Sequence, residues 1–245
     1  MGGPYENKIL IDQRDTAPVI AVDGSGYGYA RGTKRGEIIT QSVNDEMLAI
    51  EGSFGVLSTA APGTGIASQA SVTAYDATKL VLVVKNNETV KSCIVRYIKI
   101  FVGTVPGGSG TQKYEFRLDT QSGLTSGGTA LTNKRCNLGV TSLFSAITAT
   151  AGAMTTVAGT PSESIVYSGQ MRNGVGLAGD VFLFTFGGAM NVGGFLDPAT
   201  TVGEQKTLAH GPLVISPGGA LRMAHYGASL STAATLQWEI GVIVR

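Results

Sequence analysis

The sequence predicts an all-β protein, an antiparallel β-sandwich of the jelly-roll kind over residues 51–245, with an extended N-terminal arm or small β-lobe over residues 1–50. Three observations predict it. Short apolar or alternating runs recur between turn-forming clusters, as strands do. Glycine is abundant, at 35 of 245 residues with 8 prolines, and follows no collagen period, so it reads as turns and close backbone approaches. Charged residues make up 14% against 43% apolar, where an ordinary domain carries about a quarter charged. The polar surface must then be built from Ser, Thr, Gly, Asn and Gln, which suits a chain largely covered by neighbouring subunits.

Along residues 1–50 the apolar pieces are short, Ile9-Leu10-Ile11 and Val19-Ile20-Ala21-Val22, with Pro18 marking the second as an extended edge segment. Gly24-Ser25-Gly26-Tyr27-Gly28-Tyr29 follows. No alternating core pattern claims Tyr27 or Tyr29, so both are candidate interface residues, anchoring an arm on a neighbouring subunit. Leu80-Val81-Leu82-Val83-Val84 reads as a buried strand ended by a turn at Lys85-Asn86-Asn87. Cys93 to Val102 is the longest strand candidate, closed by Pro106-Gly107-Gly108. Tyr114-Glu115-Phe116-Arg117-Leu118-Asp119 alternates cleanly, which predicts aromatics and Leu on a core and charges in water.

Residues 120–164 are rich in Gly, Ser, Thr and Ala, and predict long loops with one short helix around Val140 to Met154. Strands resume at Ser164–Ser168 and at Val181–Phe186, where Gly187-Gly188 makes a turn or bulge. His210 is expected at the start of a strand and His225 near the end of one. Pro212-Leu213-Val214-Ile215 leads into a Ser216-Pro217-Gly218-Gly219 turn, then Ala220–Tyr226 and a final strand, Thr235–Val244. In the last, Leu236, Trp238, Ile240, Val242 and Val244 share a face, and Trp238 reads as a core anchor. The total is about eight strands, for which two packed sheets are the natural solution.

Several function classes are disfavoured. Net charge is +1 from 18 basic and 17 acidic residues, and Arg31, Lys34 and Arg35 near Glu37 make no basic arm, so direct nucleic-acid binding is not expected. The N-terminus lacks a basic and an apolar signal region, Glu6 breaks the myristoylation pattern, and no apolar run reaches spanning length, so no membrane association is expected. Cys93 and Cys136 are expected as reduced thiols, and Asn87-Glu88-Thr89 is a chance sequon. No nucleophile elbow, P-loop or complete dinucleotide fingerprint is present, Tyr29 standing where the last Gly belongs. An enzyme is therefore not expected, nor a metal or other cofactor. The competing readings are a metal site built from His210, His225 and Glu239, and a pair of carboxylates for sugar hydrolysis.

The run Pro212 to Leu221, followed by a strand, a Ser/Thr/Ala loop and the Trp238-Glu239-Ile240 strand, resembles the C-terminal ends of jelly-roll virion proteins of tailed bacteriophages. Head-decoration, head-fibre and collar or tail-surface components are the members it is similar to, over roughly residues 50–245. The resemblance implies an oligomeric jelly roll, commonly a homotrimer, located in the virion, without catalytic residues, whose partners are itself and other capsid or tail proteins. A receptor- or glycan-binding sandwich displayed on a particle is the alternative, with Tyr27 and Tyr29 as its platform.

Overall fold

The computed structural model describes residues 52–104, 112–136, 145–171, 178–187, 205–227 and 232–245, apart from positions 62, 70, 71 and 161, together with Ile11–Asp12, Ala30–Arg31 and residue 49. Tyr27 and Tyr29, and nearly all of the expected arm, lie outside the described residues. Sixteen strands are described. In chain order they are β1 (Ile11–Asp12), β2 (Ala30–Arg31), β3 (Phe54–Ser58), β4 (Ile66–Ala67), β5 (Leu82–Asn86), β6 (Cys93–Thr104), β7 (Gln112–Asp119), β8 (Leu124–Ala130), β9 (Thr132–Arg135), β10 (Ile147–Thr156), β11 (Ser164–Met171), β12 (Val181–Phe186), β13 (Gln205–His210), β14 (Leu213–Ile215), β15 (Ala220–Tyr226) and β16 (Thr235–Val244).

Among the described residues β1 and β2 pair only with each other. The remaining strands make two sheets that share one core. The first runs β11-β7-β15-β5-β10-β8 and the second β13-β12-β6-β16-β3-β9, with β14 beside β6 and β4 beside β16. Every main-sheet pairing is antiparallel except β12 with β13. Eight strands carry the topology: β3-β16-β6-β12 in one layer and β5-β15-β7-β11 in the other. The last strand lies beside the first and the penultimate beside the second, as when one long hairpin is wound around a barrel, which is the double Greek key of a jelly roll.

The layers meet over a single large cluster. Leu57, Ile98, Phe116, Phe184, Leu221 and Trp238 all belong to it, and Trp238 is 2% exposed, as a core anchor must be. Its backbone is also tied down, since Trp238 N–H donates to Thr59 Oγ1 at 2.8 Å. Inward-facing Leu236, Trp238 and Ile240 alternate with half-buried Gln237 and Glu239, the period of two read from the sequence. Burying side chains of this size stabilises by about 1.5–3 kcal/mol each. Gly241 is needed for a different reason: on the outer face of β16 a Cβ there would sit 2.3 Å from the Tyr97 ring, which lies across it from the paired position on β6.

The largest departure from the sequence expectation is at 120–164. The expected helix within 140–154 is instead β10, and the expected loops contain β8 and β9. Ile147, Ala149 and Ala151 of β10 are buried, while Thr148 is exposed. Ala and Thr at alternate positions show little hydrophobic contrast, yet Thr favours strands and β5 and β8 supply ladders on both sides. Gly127 and Gly128, at φ 76° and 72°, sit where the β8–β10 register shifts, a bulge that a side chain would resist. β8 belongs to the first sheet and β9 to the second, so residues 124–135 form one ribbon passing between layers, with buried Leu131 at the passage. Two smaller corrections follow. β5 runs on to Asn86, whose buried amide is shared among the carbonyls of Lys91, Ile215 and Ser216 at 2.9–3.2 Å. His210 ends a strand, β13, where a strand start was expected.

Candidate functional site

The alternation of β7 places Tyr114 and Phe116 in the core, as expected. Its other face, expected in water, is covered. Glu115 and Asp119 are 8% and 7% exposed, and Arg222, which lies beside Arg117 in the register of β15 and β7, is 0% exposed. Two guanidiniums side by side repel. Glu163, just before β11, stands between them, with Oε2 accepting from Arg117 Nη1 at 3.3 Å and Oε1 lying 3.1 Å from Arg222 Nη1. The second contact is an ion pair without hydrogen-bond alignment.

The rest of the cluster closes around these three. Arg222 Nη1 donates to Asp119 at 3.0 Å, and its Nη2 donates to the carbonyls of Ala77 at 3.0 Å and Val157 at 2.7 Å. Arg117 donates twice to Glu115 Oε2, at 2.7 and 2.9 Å, and its guanidinium lies 3.6 Å from the centre of the Tyr75 ring. Tyr226 donates its hydroxyl to Glu115. Burial first, then that hydrogen bond, push the Tyr226 phenol up to about 12. Asp119 also accepts from Thr120 N–H at 2.7 Å, from Thr160 N–H at 3.0 Å and from the Thr160 hydroxyl. Burial alone would raise its pKa, but the Thr160, Thr120 and Arg222 hydrogen bonds outweigh it and hold the carboxyl below its ordinary value.

The cluster clamps a strap, residues 72–81, onto the sheet. Val72 bridges to Tyr226, Val81 N–H donates to Met223 at 2.9 Å, and Thr156 donates to the Ala77 carbonyl at 2.6 Å. Asp76 turns the strap by accepting from the Thr78 amide at 2.9 Å and hydroxyl at 2.6 Å. Beneath it Leu80, Val83, Met154, Ala220 and Ala224 form a second small core. Chemically this is a clasp. Every acceptor position of Asp119 is occupied from within the chain, leaving none for a substrate. A cleft of ≈ 200 Å³ opens alongside, where the hydroxyls of Thr120, Ser162 and Ser164 stand over Leu118, Val214 and Pro217.

The residues singled out as a possible metal set are held apart in different environments. Glu239 accepts from Tyr97 Oη at 3.0 Å on the outer side of β16. His210 is stacked on Tyr167 with centroids 4.7 Å apart, amid Phe116, Phe184 and Phe186, and its Nε2 is 3.4 Å from Tyr114 Oη. His225 is buried on the inward side of β15, and its Nε2 has no hydrogen-bond partner among the described residues. No group of three His, Cys, Asp or Glu able to hold a metal occurs among the described residues. Cys93 and Cys136 are both free thiols, the first buried and pushed up to about 12 by that burial.

Burial pulls the His225 pKa down to about 4. A base whose folded pKa is depressed stabilises fully above its unfolded value, near 6.5, and loses that contribution as pH falls from there to the folded value. Acidifying from pH 7 to pH 4 therefore removes roughly 3 kcal/mol attributable to this ring. Denaturant unfolding of His225→Leu, measured at both pH values, is expected to show a correspondingly smaller drop than the wild type.

Comparison with protein-family models, with curated proteins and with solved structures gives no match. The clasp was missed from sequence, although Arg222 within the apolar run Ala220-Leu221-Arg222-Met223-Ala224 was its signal: a cation mid-strand among buried residues requires anions facing it.

Proposed function

We propose that this chain is a structural component of a virus particle, specifically a bacteriophage capsid decoration or accessory protein. It acts by assembling with itself, as a homotrimer, and with other capsid or tail proteins. The observation that carries this reading is the jelly-roll strand order, β3-β16-β6-β12 facing β5-β15-β7-β11, in a chain so poor in charge. Jelly rolls serve shells, lectins and cupins alike, so the fold only sets the frame. The choice among them is supported by the clasp. Its charged groups hold a strap to the sheet, which suits a surface module that must keep its shape under mechanical stress. The action is mechanical: β-domains bury apolar surface against one another and the assembly docks on the particle. Interfaces of this obligate kind bury upwards of about 2,000 Å² in total.

Light scattering on the purified full chain, together with antibody labelling of virus particles by electron microscopy, tests the reading. A trimer and labelled particles are expected. A stable monomer at micromolar concentration, with unlabelled particles, overturns it.

A further inference from the structure

The four outermost strands of the two sheets differ in a way that points to the assembly contact. Exposed sheet edges are templates for pairing, and charged residues on them are a common guard. In the second sheet both outer strands carry such residues in their sequence, Lys206 in β13 and Lys134 and Arg135 in β9. In the first sheet neither does. The sequence has no Asp, Glu, Lys, Arg or His from position 120 to 133, which spans β8, nor from 164 to 171, which is β11. Thr125 to Ala130 of β8 are all exposed, and no strand pairs with the outer side of β8 or of β11 among the described residues. Exposed apolar side chains accompany both edges. Ile165, 53% exposed, lies on β11, and Val157, 45% exposed, follows β10 and bonds the Gly123 carbonyl just before β8.

Strand direction makes the two edges complementary. All five pairings across the first sheet are antiparallel. With six strands, the outermost two run in opposite directions. A second copy in the same orientation therefore presents β11 antiparallel to β8, continuing the alternation without a break. We infer that β8 of one subunit pairs with β11 of the next, joining the strap-bearing sheets head to tail into a closed ring. The occupant of each edge is a second copy of this chain. Such a heterologous contact closes into a ring when its rotation divides the circle, and three subunits is the case proposed above. The inference rests on that assembly reading and gives it an address.

Two full-length variants test it. Ser126→Lys with Thr129→Lys guards β8, and Ser168→Lys guards β11. Each is expected to lower the mass measured by light scattering to that of one chain, with the β-sheet circular dichroism spectrum kept. Mixing the two variants is expected to give dimers and nothing larger, because one intact β8 then meets one intact β11. If Ser168→Lys unfolds, Ile165→Lys replaces it. An oligomer that survives both variants overturns the pairing and leaves the assembly reading standing. Dissociation by the β8 variant alone overturns it in favour of β8 pairing with itself about a two-fold axis. Amide exchange in the dissociated variants decides the remaining occupant: protection in the monomer of those β8 amides that point away from β10 means that a segment of the same chain covers the edge, which overturns the pairing. A wild-type chain that is monomeric at micromolar concentration sinks both the pairing and the assembly reading.

Discussion

Replacing Arg222 by Met costs about 3–5 kcal/mol at neutral pH, because removing one member of a buried ion cluster leaves its partners charged and uncompensated. The wild-type cluster sets Asp119, Glu163 and Glu115 against Arg222 and Arg117, and the substitution leaves a single guanidinium among them. It also orphans the Val157 carbonyl and leaves the Ala77 carbonyl with the Thr156 hydroxyl alone, so the strap loses a fastening. The pH dependence gives a signature that simple loss of packing does not. In the wild type the Asp119 carboxyl titrates below its ordinary value, so its contribution is present above the unfolded pKa, about 3.9, and is lost as pH falls through the lower folded value. Without Arg222 the stranded carboxylates are destabilised in their charged form, and protonation relieves them. Urea unfolding at pH 7 and pH 4 is expected to show the stability gap between variant and wild type narrowing on acidification; a gap that stays constant would assign the loss to packing alone.

Phe116→Ala is expected to lose about 3–5 kcal/mol, the cost of emptying a large aromatic position in a dry core. Phe116 is fully buried at the centre of a ring cluster, edge-on to Tyr114, Phe184 and Phe186 with centroids 5.6, 5.1 and 5.4 Å away. β7 brings the ring from one sheet and β12 brings Phe184 and Phe186 from the other, so the cavity would open between the layers. Edge-to-face pairs add roughly 0.5–1.5 kcal/mol each beyond area burial, so Phe116→Leu is expected to recover only part of the loss. Chemical denaturation with intrinsic fluorescence reports both substitutions, and a loss below about 1 kcal/mol for Phe116→Ala would mean that the layers collapse to fill the space.

The legibility of the sequence followed hydrophobic contrast. β6, β12 and β16 stand out because Ile, Val, Phe and Trp mark an inward face, β15 because it follows the Ser216-Pro217-Gly218-Gly219 turn, and their expected spans lie within a few residues of those observed. β8 and β10 did not stand out, since Thr, Ser, Gly and Ala differ too little in size and polarity to show which side is buried. β10 takes its pairing from β5, far along the chain, and β8 takes its own from β10. The fold class was therefore legible and the margin of the first sheet was not. The clasp was half legible. Glu115, Arg117 and Asp119 were visible as one polar face, and a solvated face is the ordinary reading of such a pattern. What turns it inward is a strap from residues 72–81 together with Val157, Thr160 and Glu163, none of which belongs to a periodic pattern that would announce it. The surroundings of the two histidines were not legible for a related cause. His210 and His225 look alike as lone histidines, but one is stacked among aromatic rings and the other is walled in beside Tyr114, and only the packing separates them.

The ribbon of residues 124–135, laddered to β10 in one layer and to β3 in the other, has a mechanical consequence. The two ladders act in series between the layers, each bearing the full tension on that margin, so the layers part there only when one ladder is stripped along its whole length.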